Sequence, residues 1–223
     1  MYISYIAKRT TAIAFVRVAF MGLAIGCSDD RMLSKDVSFT DPGLQQCYED
    51  TLRRSPFGKP YVDEMREMHC YSWGVRSLDG IEALFALEVL ILGGNPKLTT
   101  MDSVLSLPVL RWLDLSECQL GPESTGVLSK LRTPVHLNVS GNNLGDISAY
   151  SEATSLTGLV AAASNITRGV DALVTLTNAT VLAFTGNPDS PCEDLEFLRA
   201  NMPASTMISP LASDVRPGVD CSL

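Results

Sequence analysis

A short apolar pattern returns six times along this chain at an almost constant interval. Its clearest copy reads L-x-x-L-x-L-x-x-N, with Leu87, Leu90, Leu92 and Asn95 at the fixed positions. The six copies start at residues 65, 87, 110, 134, 156 and 179, so the spacings are 22, 23, 24, 22 and 23 residues. Six copies in near-constant register rarely arise by chance. The chain is therefore predicted to be a repeat protein, in which each copy packs on its neighbours.

The pattern resembles the leucine-rich-repeat signature over about residues 65–190. The resemblance implies an α/β solenoid: a right-handed horseshoe with short parallel strands on its concave face and helical caps. Each L-x-L core is predicted to be a strand whose alternate side chains point inward. The Asn position should lie where the chain turns, with its amide satisfying unpaired backbone groups. Cys118 and Ser164 replace this Asn in two copies, where we expect looser turns.

A second apolar set should return along the convex side after each turn. It has helix-like spacing of three and four at Ile166, Val170, Leu173 and Leu176. Residues 120–131 form a longer variant, broken by Gly121-Pro122, and the polar, small residues 144–155 predict an irregular segment.

The first 26 residues have the composition of an export signal. Lys8, Arg9 and Arg17 are their only charges, and the apolar run Val18–Gly26 follows. This order is typical of a secretory signal peptide, and the run is too short for a membrane span of ~20 residues. Its removal leaves 14 basic against 25 acidic residues, a net charge of −11. Such a chain repels nucleic acid, which we therefore do not expect as a partner.

The end of this signal, Leu23–Cys27, resembles the lipobox of bacterial lipoproteins. The resemblance implies that Cys27 is lipidated and becomes the N-terminus, with residues 27–40 forming the anchor and a short tether. Ser28, rather than Asp, then implies sorting to the outer membrane. The expected location is the bacterial cell envelope, with contact to the membrane through the lipid. An ordinary signal peptide and a secreted protein is the alternative.

Asp41-Pro42 predicts the start of an N-terminal capping helix, because Asp caps helices and Pro favours the first helical position. The helix should run to about Arg54, in a cap that spans residues 41–64. Cys47 on this helix would lie over the first strand, where Cys70 occupies an inward position. We therefore predict a Cys47–Cys70 disulfide, as an exported protein permits.

Residues 190–223, which follow the repeats at 65–189, predict a C-terminal cap. Ser190 and Glu193 have capping-box spacing at the start of a helix. A Cys192–Cys221 disulfide would fix the tail to this cap, leaving Cys118 as the odd cysteine. The alternative is that all five of these cysteines are buried free thiols. The cysteine-bearing ends resemble those of bacterial leucine-rich-repeat lipoproteins and, more loosely, of the internalin group.

Few residues suggest catalysis or a cofactor. The histidines, His69 and His136, fall three strands apart, or ~14 Å, and cannot share a metal ion. No C-x-x-C, H-E-x-x-H or G-x-S-x-G motif occurs. We expect no enzyme activity, no cofactor and no metal.

The concave face is the candidate binding site, with exposed aromatic and apolar residues that are typical of interaction surfaces. The repeat register supplies its columns of side chains. The predicted binding residues are Glu67, His69, Tyr71, Val89, Ile91, Trp112, Asp114, Glu117, His136 and Asn138. A protein or a glycan is the expected ligand. The alternatives are a structural envelope protein without a dedicated ligand and side chains that merely fill a shallow face.

Overall fold

A computed structural model describes residues 32–55, 61–99 and 101–209 of the chain. Within them a parallel sheet joins seven three-residue strands, each hydrogen-bonded to the next in chain order. The strands are β1 Glu67–His69, β2 Val89–Ile91, β3 Trp112–Asp114, β4 His136–Asn138, β5 Gly158–Val160, β6 Val181–Ala183 and β7 Met207–Ser209. The first six coincide with the six predicted copies. The repeat prediction is therefore confirmed strand by strand.

The middle residue of each repeat strand forms one continuous buried row, because it alone points away from solvent. Met68 pairs in register with Leu90, and each following middle residue pairs with the next. All six side chains are fully buried, and each Leu stabilises the fold by about 1.5–3 kcal/mol. The flanking residues of each strand point to the opposite side, which is the concave face of the fold.

The turn asparagines bind both their own repeat and the one before it. The Nδ2 group of Asn142 donates to the carbonyl oxygens of Leu115 at 2.9 Å and Val139 at 2.7 Å. Its Oδ1 atom accepts from the amides of Cys118 at 3.0 Å and Leu120 at 2.9 Å. Asn187 makes the same four bonds. Asn95 makes three of them, because its Oδ1 atom accepts only from the amide of Val75. The predicted role of this position is thus correct.

Where cysteine and serine replace asparagine, only part of this bonding remains. The thiol of Cys118 donates to the carbonyl oxygen of Leu92 at 3.3 Å. The hydroxyl of Ser164 donates to the carbonyl oxygen of Val139 at 3.0 Å. Both side chains therefore keep the donor function towards the preceding repeat. Neither has an amide oxygen, which is the atom that accepts from two backbone amides in Asn142 and Asn187 and from one in Asn95.

The convex side is built largely from single 3₁₀ turns and differs from the prediction. The 3₁₀ helix Asp171–Thr175 replaces the helix-like segment, and Ser148–Glu152 forms another where an irregular segment was expected. Ile81–Ala83 and Asp102–Ser106 are similar. Helix α2, Glu123–Leu128, lies in the longest copy, of 24 residues. Shorter copies leave room for only one tight turn.

Helix α1, Pro42–Arg54, has the predicted bounds and is tied to the first repeat at its N-terminus. The Oδ1 atom of Asp41 accepts from the amide of Leu44 at 2.8 Å, while Oδ2 accepts from the amide of Arg76 at 3.1 Å. A side chain at Gly43 would place its Cβ 2.7 Å from the backbone of Gly74. The helix therefore packs directly on the backbone of the first repeat.

The predicted disulfide between Cys47 and Cys70 is present. It joins helix α1 to the residue that follows β1, with 5.5 Å between the two Cα atoms. Both residues are buried. The N-terminal cap is thus linked to the repeats both covalently and through Asp41.

Residues 33–39 pack against helix α1, although the sequence predicts a tether there. The Tyr48 hydroxyl donates to the carbonyl oxygen of Ser34 at 2.6 Å. The Phe39 ring meets the Tyr48 ring edge-on, with centroids 5.2 Å apart, and Val37 is buried. Apolar side chains that find such contacts stabilise an ordered segment. The predicted tether from 27 to 40 therefore includes residues of the packed fold.

The C-terminal part of the fold differs from the prediction in two respects. Helix α3, Cys192–Asn201, has Pro191 as its N-cap and no capping side-chain hydrogen bond, so the predicted capping box is wrong. Strand β7 follows the helix and extends the sheet beyond the sixth copy.

The part of the chain that the structure describes contains no helix with the length and apolar character needed to span a bilayer.

Candidate functional site

The sheet register places the predicted columns side by side on the concave face. Glu67, Val89, Trp112, His136, Gly158, Val181 and Met207 pair in sequence along one column. The second column contains His69, Ile91, Asp114, Asn138, Val160, Ala183 and Ser209. The eight predicted binding residues of β1 to β4 therefore lie on one surface. Tyr71 and Glu117 lie just beyond the ends of their strands, at the rim of that surface.

A tryptophan stack, formed by Trp112 and His136, occupies the centre of the first column. The two rings are parallel, with an interplanar angle of 8° and centroids 4.3 Å apart. Gly158 makes this possible, because a Cβ at that position would overlap Nδ1 of the His136 ring. The indole nevertheless remains 39% exposed. The stack is thus a fixed aromatic surface that is open to solvent.

A tyrosine platform, in which the Tyr71 ring lies over Gly93 and Gly94, forms the rim. A Cβ at Gly93 would come within 2.9 Å of that ring, and one at Gly94 within 3.2 Å. The Tyr71 hydroxyl donates to Oε2 of Glu117 at 3.0 Å, two repeats further along the chain. This hydrogen bond and the charge of Glu117 raise the pKa of Tyr71. The ring is 51% exposed and held at its far end.

Glu117 adopts a backbone conformation that non-glycine residues rarely use, with φ of 55°. The corresponding positions of three other copies carry Gly94, Gly141 and Gly186, and those of the remaining two carry Ser72 and Ala163, all with positive φ. A glutamate in this conformation costs of order 1 kcal/mol relative to glycine. Its carboxylate is the group that holds Tyr71. Because all six copies share this positive φ, the conformation belongs to the turn of the repeat, and the glutamate side chain is what distinguishes this copy.

Asp114 and Asn138 are partly committed to the turns that follow their strands. The Oδ1 atom of Asp114 accepts from the amide of Ser116 at 2.8 Å. The Oδ1 atom of Asn138 accepts from the amide and the hydroxyl of Ser140, at 3.1 and 2.7 Å. These bonds fix both side chains. The second carboxylate oxygen of Asp114 is not used in them.

Comparison with solved structures supports the leucine-rich-repeat fold. No protein-family model and no curated protein matches the chain. The crystal structure of internalin C2 from Listeria monocytogenes is similar, with a TM-score of 0.56 and 21% identity, over 86% of this chain and 95% of that one. The chain has the leucine-rich-repeat fold. At this identity the likeness concerns the fold and not a ligand.

Two further leucine-rich-repeat structures align less well. An internalin of the same Listeria strain gives a TM-score of 0.31 and 16% identity, over 83% of this chain and 75% of that one. A leucine-rich-repeat protein of Leptospira interrogans gives a TM-score of 0.33 and 15% identity, over 69% of this chain and 55% of that one.

Three carboxylates lie on this leucine-rich-repeat face or its rim, at Glu67, Asp114 and Glu117. Oε2 of Glu67 lies 3.6 Å from Nε2 of His69. Among the described residues, no lysine or arginine lies within ion-pair distance of these three carboxylates. The adjacent arginines, Arg66 and Arg111, both pair with Glu88 at 2.5 and 3.7 Å. The face is therefore aromatic and acidic.

Burial shifts the pKa of two further groups, His136 on the concave face and Cys118 in the core. Burial lowers the pKa of His136, so its ring is neutral at pH 7. Burial raises the pKa of the Cys118 thiol to about 11, and this cysteine is free. A thiol with such a pKa is a poor nucleophile. In the part of the chain that the structure describes, no group of three or more His, Cys, Asp or Glu residues could hold a metal ion.

Two predicted sites fall outside the described residues: the lipidation site Cys27, and Cys221, the proposed partner of Cys192. Cys192 itself is disulfide-bonded.

The sequence did not reveal the glycines beneath the aromatic rings or the contribution of β7. Gly93 and Gly158 leave room for the Tyr71 and His136 rings, and the leucine pattern contains no signal for such contacts. Met207 extends the first column and is 70% exposed. Strand β7 was missed because the sequence Met207-Ile208-Ser209 lacks the L-x-L pattern, although Ile208 packs against the core.

Proposed function

We propose that this chain is a lipid-anchored protein of the bacterial cell envelope and that its concave face binds a protein partner. The observation that carries this proposal is the pair of fixed, solvent-exposed aromatic surfaces, the tryptophan stack and the tyrosine platform. Tryptophan and tyrosine are enriched among the residues that contribute most to protein interfaces. A surface that contacts only water gains no stability from keeping such rings exposed.

The rigidity of the two rings favours binding. Trp112 is held by His136, and Tyr71 is held by Glu117. Side chains that are ordered before association lose less conformational entropy when a partner covers them, and this loss is about 0.5–1.5 kcal/mol per flexible side chain. A partner that contacts both rings would therefore gain affinity from their fixed positions.

A binding role fits this face better than catalysis. His136 is stacked against Trp112, and His69 lies three strands away, beside Glu67. A general base and a nucleophile would need to approach within about 3 Å of each other. The predicted site residues are spread along two columns instead, which suits an extended contact surface.

The anchor proposal is supported by the signal-like N-terminus and by the sequence that ends at Cys27. Because Leu33 already pairs with Tyr61, five residues separate the proposed lipid from the first packed residue. Fully extended, they reach ~17 Å. A multiply acylated cysteine would hold the domain firmly, and this short connection would keep it close to the membrane surface.

Site-specific photocrosslinking in the native cells tests the binding proposal. A photoreactive amino acid at Ile91, on the concave face, should capture one discrete protein, and the Trp112→Ala substitution should abolish that capture. The same group at Thr177, on the convex side, is the matched control. Capture that is equal at both positions, or none at Ile91, would favour a structural protein without a dedicated ligand.

Labelling with radioactive palmitate tests the anchor separately. The chain should incorporate label and partition with membranes, whereas a Cys27→Ser variant should do neither. Release of unlabelled wild-type protein into the medium would instead establish the secreted alternative.

A further inference from the structure

The concave face carries negative charge beside its exposed indole. Asp114 follows Trp112 by two residues on β3, so both side chains project from the same side of the sheet, ~6.6 Å apart along the strand. Glu117 lies in the turn that follows β3. His136, whose ring stacks on the indole, has its pKa lowered by burial, and the neighbouring Arg111 lies 3.7 Å from Glu88.

The indole offers one face to a ligand. His136 covers the face that looks towards β4. The opposite face looks towards β2, where the register neighbour of Trp112 is the short, half-buried Val89. A cation placed over an indole ring is attracted by the negative charge of its π face. The Asp114 carboxylate on the same strand would add an ionic contact.

We infer that the concave face takes an extended basic segment of its protein partner, with a lysine or arginine side chain against Trp112 and Asp114. A second cation of the segment meets Glu117, whose Oε1 atom is not the one that Tyr71 uses. This inference rests on the proposed binding function and narrows it to one class of partner. An acidic segment is excluded by repulsion from the three carboxylates, and nucleic acid by the same charge.

Direct titration with defined peptides tests the inference. The probes are fluorescent peptides of about twelve residues that alternate glycine with arginine, glutamine or glutamate. Extended, each spans ~40 Å, enough to cross seven strands spaced ~4.8 Å apart. The protein is the full chain with Cys27→Ser. The arginine peptide should bind with the highest affinity, more weakly as ionic strength rises above about 0.1 M.

Isosteric variants separate the site from general charge attraction. Asp114→Asn with Glu117→Gln removes two charges while keeping an oxygen acceptor for Ser116 and for Tyr71. The matched control, Glu193→Gln with Glu196→Gln, removes the same charge from helix α3, which packs on the convex 3₁₀ helix Asp171–Thr175. The concave pair should weaken arginine-peptide binding about threefold to thirtyfold, and the control less than twofold.

Trp112→Ala should weaken the same peptide about twofold to fivefold, with circular dichroism confirming its fold. Equal losses in the concave and control pairs, equal affinity for the glutamine or glutamate peptide, or no measurable arginine-peptide binding would each overturn the inference.

The crosslinking experiment distinguishes this failure from failure of the proposed function. If capture at Ile91 requires Trp112 but survives loss of the Asp114 and Glu117 charges, the concave face binds a partner that is not basic. If capture requires none of the three residues, the binding proposal fails as well.

Discussion

Replacing Asn142 by alanine should reveal how much the turn asparagines stabilise the stack of repeats. The substitution removes the oxygen that accepts from the amides of Cys118 and Leu120. It also removes the amine that donates to the carbonyl oxygen of Leu115. The Val139 carbonyl retains the hydroxyl of Ser164 as a donor. Two buried N–H groups and one carbonyl group therefore lose their partners.

The magnitude follows from these groups. A buried donor left without an acceptor costs about 1–3 kcal/mol, so two should lower the free energy of unfolding by about 2–6 kcal/mol. Asn142→Ser should be milder by about 0.5–1.5 kcal/mol. The reason is that serine can donate to the preceding repeat, as Ser164 does in its own copy.

Urea denaturation followed by far-UV circular dichroism measures these differences. Asn143→Ala is the matched control, because Asn143 is the exposed neighbour and its side chain makes one exposed contact, with Asn165. It should change stability by less than about 0.5 kcal/mol. A loss below about 1 kcal/mol for Asn142→Ala would refute the reasoning, since water would then be replacing the amide at no cost.

Three further outcomes follow from the caps and the concave face. Replacing glycine by alanine usually stabilises a helix by ~1 kcal/mol. Gly43→Ala should instead destabilise the fold, because the new Cβ would lie 2.7 Å from backbone atoms of the first repeat. An increased melting temperature would contradict this. Replacing Cys47 and Cys70 by alanine opens a cross-link with a sequence separation of 23 and should cost about 3 kcal/mol in urea denaturation, whereas an unchanged midpoint would show that the cap needs no cross-link. Burial lowers the pKa of His136 below 6.5, so near this pH the folded state binds fewer protons than the unfolded state. The stability that the neutral His136 contributes is therefore present above about pH 6.5 and is lost as the pH falls towards the pKa of the folded state. His136→Gln should therefore flatten the loss of urea stability between about pH 7.5 and pH 5.5, and equal slopes for variant and wild type would contradict the assignment.

The repeat core could be predicted because its signal is periodic and its cause is local. A strand alternates its side chains, and a fixed interval aligns each strand with the next, so Leu90 and Leu113 had to share a buried row. Helix α1 followed from Asp41 and Pro42 for similarly local reasons. The position of Cys47 on that helix then brought it to Cys70.

Elements whose partners are distant in the sequence were not predictable in this way. Strand β7 is held by backbone hydrogen bonds, such as that from the amide of Met207 to the carbonyl oxygen of Thr180 at 2.8 Å, which need no leucine pattern. The sequence alone assigns Phe39 and Val37 to a tether, because the helix that carries Tyr48, the partner of the Phe39 ring, is a separate element. The capping box at Ser190 failed because Pro191 became the N-cap.

The candidate site lies between these two cases. The period of the repeats determines which side chains reach the concave face, but it does not determine which of those side chains contact each other. Trp112 and His136 stack because the next residue in their column, Gly158, leaves a space that a Cβ would fill. The side-chain contacts on an exposed face therefore depend on where glycines leave space, and a pattern of apolar residues does not predict those positions. For the same reason, Gly158→Ala should disturb the stack while leaving the buried row of leucines in place.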